Sequence, residues 1–211
     1  MKYVKLFENF QSDKELENIN SNFKQWFKNS KVMNKSGEPL VVYHGSKSED
    51  ITEFVKTSDI GYHFAEAINI AKDMCGEYDD GYGFVRKIPP IACYLSIQNM
   101  GELPDLEFWR KSDLLKEVET ENEYRKSKEY PLLNFEYDNT KPLLDNMKIF
   151  SKEYSNLDCD WRDIDGFVYY NMYEGRYTQT SKISYIALKP NQIKSIKNDG
   201  TWDINDNNIK S

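Results

Sequence analysis

Histidine is the scarcest reactive residue in this chain: 211 residues hold two, His44 and His63. Cysteine is nearly as rare. Cys75, Cys93 and Cys159 are odd in number, widely separated and without a CxxC spacing. That pattern argues against a disulfide frame or a zinc site and fits free thiols in a reducing cytoplasm. No bound metal is expected. Long apolar runs are missing as well, none approaching the roughly 20 residues that span a bilayer, so no membrane partner is expected. The opening Met1-Lys2-Tyr3-Val4-Lys5-Leu6-Phe7 lacks the continuous apolar stretch and small-residue cleavage site of a secretion signal. Positive charge is in deficit, with 28 Lys and Arg against 35 Asp and Glu and a net charge of -7. A broad nucleic-acid footprint is therefore disfavoured, although a small local contact is compatible with it.

What is present is aromatic. Fifteen Tyr, eleven Phe and four Trp take the chain out of the disordered class, and its length suits one full core. Residues 1–30 carry Phe7, Phe10, Leu16, Ile19, Phe23, Trp26 and Phe27 at three- and four-residue steps, a helical pattern with Ser12 or Asp13 as cap for a helix over 14–28. Asn34 to Pro39 is a turn by composition. It leads into Leu40-Val41-Val42-Tyr43-His44-Gly45-Ser46, which reads as a buried strand ending on an imidazole and an unshielded backbone. The second histidine lies in a matching setting, Ile60-Gly61-Tyr62-His63-Phe64.

Further on, Ala65 to Met74 reads as a short helix and Glu77 to Gly83 as an acidic, mobile segment in which Tyr78 and Tyr82 could cover a ligand. Pro90 to Ile97 reads as a strand, Met100 to Trp109 as a loop anchored by Asp105 and Trp109, and Asp113 to Lys128 as a charged helix. Residues around Leu143 to Phe150 read as helical. Asp165-Gly166 is a turn into the strand that ends at Tyr170, and a polar connection carrying Glu174, Gly175 and Arg176 leads to the strand Ile183 to Leu188. Pro190 to Ile196 closes the core. Short strands separated by helices and long loops define an α+β class.

The order of these segments resembles the signature strands of ADP-ribosyltransferases of the clade that contains diphtheria toxin and the poly(ADP-ribose) polymerases. The nearer resemblance is to the ADP-ribosyltransferase-like domains of phage polyvalent proteins. It is carried by Tyr43-His44-Gly45-Ser46, Gly61-Tyr62-His63-Phe64-Ala65 and Ser184-Tyr185-Ile186-Ala187-Leu188. Tyr94 to Asn99, Leu103-Pro104-Asp105, Asp165 to Tyr169 and Asn191 to Ser195 support it. The resemblance implies a split β-sheet core with peripheral helices over residues 31–203, flanked by a packed helical segment, 1–30, and an irregular tail, 204–211.

It also implies a site. His44 would hold a ribose hydroxyl of NAD and the Gly45 backbone the nicotinamide carboxamide, with Tyr43 and Ser46 as neighbours. The family's nicotinamide-stacking tyrosine falls on His63, and its second tyrosine, eleven residues on, falls on Met74. A one-residue shift would make Tyr62 the stacking ring, but strand alternation lets only one of Tyr62 and His63 face the pocket. The family's catalytic glutamate falls on Ser184, whose hydroxyl can bind a ribose but cannot offset the positive charge of an oxocarbenium-like sugar. Glu174 is the candidate substitute, with Gln192 a weaker one that brings no charge, and Arg86 the candidate pyrophosphate partner.

The expected activity is NAD-dependent mono-ADP-ribosyl transfer, a glycosyltransferase reaction with NAD as substrate and nicotinamide as product. The acceptor would be a protein or a nucleic acid. By analogy the enzyme is phage- or mobile-element-encoded, a toxin or effector acting in the cytoplasm of an infected or host bacterial cell, with a neutralising partner if it is a toxin. Two other classes compete. One is a non-catalytic NAD- or ADP-ribose-binding module; the other is a ribonuclease using both histidines as an acid–base pair.

Overall fold

The computed structural model describes residues 21–48, 50–56, 59–174 and 181–211. Among the described residues nine short strands carry the architecture: β1 (Val42–His44), β2 (Tyr62–Ala65), β3 (Glu77–Asp79), β4 (Val85–Lys87), β5 (Ile91–Leu95), β6 (Met100–Leu103), β7 (Gly166–Tyr170), β8 (Ile183–Ala187) and β9 (Ile193–Ser195). Helix α1 spans 21–27 within the described residues. It is followed by α2 (Ile68–Asp73), α3 (Lys111–Ser127) and α4 (Leu143–Ser155).

Seven strands form one sheet in the order β6-β7-β8-β2-β1-β5-β9, and β3 and β4 pair separately. All neighbours in the large sheet are antiparallel except β6 and β7. A parallel pair needs a long crossover, and the segment between β6 and β7 provides it through α3 and α4. The sheet is nearly divided at one seam. β7 and β8 share five register pairs and β2 and β8 share four, whereas β1 and β2 share one, Tyr43 opposite Ala65. Four strands lie on one side of this seam and three on the other, which is the split of an α+β, ADP-ribosyltransferase-like sheet.

Apolar side chains cover both faces. Val42, Phe54, Tyr62, Phe64, Leu95, Tyr185 and Ile193 form the core on one side. Leu103, Leu114, Met147, Phe150, Phe167 and Ile186 form it on the other, beneath α3 and α4. Alternation along β2 accounts for the division, since Tyr62 and Phe64 point to the first core and His63 and Ala65 to the opposite face. A third cluster joins α1 to the sheet edge, with Phe23 against Trp202, Phe27 and Tyr94 at ring separations of 4.7 to 5.3 Å. The cap and first turns expected at residues 12–20 lie outside the described residues.

Several expectations need correction. The acidic stretch Glu77 to Gly83, read as a mobile segment, supplies β3 and the turn of the β3–β4 hairpin. Asp80 organises its turn by accepting hydrogen bonds from the Tyr82 and Phe84 amides and the Arg86 side chain. Met100 to Leu103 is a strand rather than the start of a loop: Met-Gly-Glu-Leu has little strand propensity of its own, and pairing with β7 imposes the conformation.

The tail beyond Asn198 is irregular but firmly attached. Lys194, fully buried on β9, donates to the carbonyls of Asp206 (3.0 Å) and Asn208 (2.7 Å) and to the Ser211 hydroxyl (3.3 Å). Burial lowers the Lys194 pKa, and the nearby carboxylate of Asp206 opposes that shift. Methionine at this position fills similar space but leaves the three acceptors without their donor. Lys194→Met is expected to destabilise the fold by about 2–3 kcal/mol. That corresponds to a drop in Tm of roughly 5–10 °C for a chain of this size, measurable by calorimetry. An unchanged Tm would show that these three hydrogen bonds contribute nothing net to stability.

Candidate active site

The seam between β1 and β2 opens into a cleft of about 240 Å³, lined by residues that include Tyr43, His44, Gly45, His63, Met74, Trp109, Tyr169, Glu174 and Ser184. Its floor is one row of the sheet. Register places Tyr43 opposite Ala65, Ala65 opposite Ser184, and Ser184 opposite Tyr169. Ala65 and Ser184 are small, so the middle of the row leaves space between the flanking tyrosines.

The two histidines meet where the seam opens. Continued in register, the pairing would set Gly45 opposite His63, but the strands part there. The His44 ring fills the gap, its Nδ1 lying 2.8 Å from the His63 carbonyl oxygen. A carbonyl can only accept, so Nδ1 carries the proton and Nε2 of a neutral His44 is left as an acceptor. Burial lowers the His44 pKa and the hydrogen bond partly opposes it. The ring is packed against Phe54 (4.8 Å) and Phe64 (5.3 Å), which holds its orientation. Gly45 is required by close approach: a Cβ there would sit 2.3 Å from the Ala71 carbonyl oxygen and 2.6 Å from Met74 Cβ. Any side chain would push α2 away from the cleft.

His63 stands beside Tyr169, with Nδ1 3.2 Å from the phenolic oxygen. Burial, and secondarily the nearby His44, lowers the His63 pKa to about 4. Tyr169 is itself buried, which raises its pKa, and its hydroxyl also meets the Ser184 and Asn171 side chains. Asn171 extends this network outward. Its side-chain nitrogen donates to Glu174 Oε2 (2.6 Å) and Ser184 Oγ (3.4 Å), and its side-chain oxygen accepts from the Glu174 amide (3.0 Å). Asp105 steadies the same loop by accepting from the Met172 and Tyr173 amides at 2.7 and 3.0 Å. Glu174 is thus an exposed loop residue whose carboxylate is held by Asn171, which also reaches Ser184. One polar chain, His63–Tyr169–Ser184–Asn171–Glu174, crosses the cleft.

The sequence profile of one family, ADP-ribosyltransferase in polyvalent proteins, matches residues 34–202. The chain belongs to this family of ADP-ribosyltransferases. No curated protein and no solved structure matches it. In this ADP-ribosyltransferase, His44, Gly45, Tyr43, His63, Met74, Ser184 and Glu174 border one cleft. Tyr62, Ser46 and Arg86 do not line it. Tyr62 is buried on the opposite face of β2 against Phe54, because alternation gives the cleft to His63. Ser46 is buried and closes a turn, donating to the Ser48 carbonyl and accepting from its amide. Arg86 sits on the β3–β4 hairpin paired with Asp80 at 2.6 Å. Gln192 is a structural residue, its side chain joining the Leu188 and Lys189 amides to the Ser96 and Asp165 carbonyls. Arg176 lies outside the described residues.

Two cleft residues had been legible only as scaffold. Tyr169 sits two residues after Phe167 on β7, so its inward direction follows from alternation, and its partner Ser184 lies opposite it in β8. Trp109 carried no positional signal beyond being an aromatic residue in a loop. Among the described residues, no His, Cys, Asp or Glu cluster is arranged to hold a metal and no helix is long and apolar enough to cross a membrane.

The depressed pKa of His63 has a stability consequence. Its folded value of about 4 lies below the ordinary 6.5, so between these values the unfolded chain binds the extra proton. Stability from this group is complete above pH 6.5 and is lost as pH falls toward 4, by roughly 3 kcal/mol in total. His44, shifted in the same direction, adds to the loss. Urea unfolding at pH 7 and pH 4.5 should show a smaller pH-dependent loss in His63→Asn than in the unsubstituted protein. Parallel pH profiles in the two proteins would mean that His63 is not held neutral.

Proposed function

We propose that the protein is an NAD-dependent mono-ADP-ribosyltransferase that transfers ADP-ribose from NAD to a protein side chain or a nucleic-acid base. The observation that carries this reading is the placement of His44 at the seam: its Nδ1 is bonded to the His63 backbone carbonyl, and its Nε2 is left as an acceptor for a ribose hydroxyl. The Gly45 backbone is close by for the carboxamide. The cleft, about 240 Å³, suits the nicotinamide–ribose half of NAD rather than the whole dinucleotide. No Lys or Arg among the described residues lines it, so Arg86 is withdrawn as pyrophosphate partner.

The chemistry follows from where charge develops. The bond from ribose C1′ to the nicotinamide nitrogen breaks with its electron pair going to nitrogen, and the sugar acquires oxocarbenium character. Ser184 can hydrogen-bond a ribose hydroxyl but brings no charge. Glu174, joined to Ser184 through Asn171, supplies the negative charge that the serine lacks. The acceptor nucleophile then attacks C1′. His44 and His63, both with lowered pKa values, are neutral near pH 7. Neither is then a ready proton donor, which weighs against the ribonuclease alternative.

The direct test is incubation of the purified protein with NAD labelled in its adenylate half and a bacterial lysate, with and without ribonuclease or protease afterwards. Label on a macromolecule, with release of nicotinamide, is the expected result. Binding of NAD without release of nicotinamide would support the non-catalytic module instead. RNA loss without NAD would support the ribonuclease. A phage or mobile-element origin, an effector role and action in a bacterial cytoplasm are proposals that rest on the family relationship alone.

A further inference from the structure

One wall of the cleft holds an arrangement that the strand signatures do not account for. Trp109 comes from the loop between β6 and α3, with φ of 56°, a left-handed conformation costly for a bulky side chain and retained only where its surroundings impose it. Its ring meets Tyr169 at 4.8 Å and 75° and His63 at 5.2 Å and 64°. Tyr169 and His63 are themselves 5.9 Å apart at 76°. Three rings, each steeply inclined to the other two, make a corner rather than a stack, and all three line the cleft. Hydrogen bonding of His63 to Tyr169 limits the swing of both. With a pKa near 4, His63 adds no positive charge. Aromatic faces carry partial negative charge and attract cations most strongly when water is excluded.

We propose that Trp109, with Tyr169 and His63, makes the cleft selective for a pyridinium cation over the corresponding neutral ring, so that oxidised NAD is taken in preference to its reduced form. The inference rests on the NAD reading above and adds to it a charge-specificity residue outside the signature strands. The oxidised nicotinamide ring is a quaternary pyridinium, whereas the reduced ring is neutral. Cleavage returns the bonding electron pair to the ring nitrogen, so the departing nicotinamide is neutral and the attraction is lost. The corner therefore acts on the bound substrate more than on the transition state. Weakening it should raise KM for NAD and change kcat less.

The test uses the full chain and two small probes, N-methylnicotinamide cation and neutral nicotinamide, with oxidised and reduced NAD as the larger pair. Titration calorimetry is expected to show the cationic member of each pair binding about tenfold more tightly. In Trp109→Leu that ratio should fall to within about twofold of unity, and in Trp109→Phe, which keeps a ring, it should fall less. Equal affinities in the unsubstituted protein would overturn the proposal whether or not the variants fold. A ratio that survives in folded Trp109→Leu would also overturn it, since Trp109 would then not be its source. NAD cleavage without charge preference leaves the transferase reading standing and removes this one. Charge preference without any NAD cleavage does the reverse.

Discussion

Replacing His44 with alanine should lower kcat/KM for NAD cleavage by about a hundredfold or more while the protein stays folded. The imidazole is placed by two independent constraints, its Nδ1 hydrogen bond to the His63 carbonyl and its packing on Phe54 and Phe64. A group held this firmly positions the ribose at little entropic cost, and losing such positioning commonly costs two orders of magnitude. The structural penalty is smaller. One net hydrogen bond contributes about 1 kcal/mol, or roughly 2–4 °C in Tm for a chain of this length. Nicotinamide release followed by chromatography, together with a thermal melt, separates the two effects. Near-normal turnover in a folded His44→Ala protein would contradict the assignment of the site.

Glu174→Gln is the complementary change, because it removes charge and keeps shape. The glutamine oxygen can still accept from Asn171, and its amide still donates to Asn171, so the loop held by Asp105 should stay in place. What disappears is the negative charge proposed above to stabilise a cationic ribose. Removing a comparable preorganised electrostatic partner costs about a hundred- to a thousandfold in kcat. Expected, then, is a loss of that size in kcat with KM for NAD altered by no more than about threefold. If KM rises as steeply as kcat falls, Glu174 shapes the pocket and the charge must come from elsewhere. The contrast with Trp109→Leu is informative, since that variant should move KM and leave kcat closer to its starting value.

Much of this arrangement could be read along the chain. Short apolar runs ending at His44 and containing His63 marked two strands, and β8 was marked by Ile183 to Leu188. Their order matched a family whose profile covers 34–202. Local patterns also placed α3 and α4 to within a few residues. The misplaced residues share a cause. Arg86 looked available to a phosphate because its partner Asp80, six residues away, becomes adjacent only when the hairpin turns. Ser46 followed a site glycine in sequence but turns inward. Met100 to Leu103 has no strand character until β7 lies beside it.

By itself the sequence determined the class of fold, the two imidazoles and the strand segments that carry them. These are matters of residue type and local period, which a linear reading records. Tertiary structure alone decided that His63 rather than Tyr62 faces the cleft and that the sheet parts at Gly45, leaving His44 to bridge the gap. It alone brought Trp109, from a loop more than forty residues along the chain, against His63. Which face a strand buries, where a ladder stops and which distant ring fills a corner depend on packing between segments that share no local pattern.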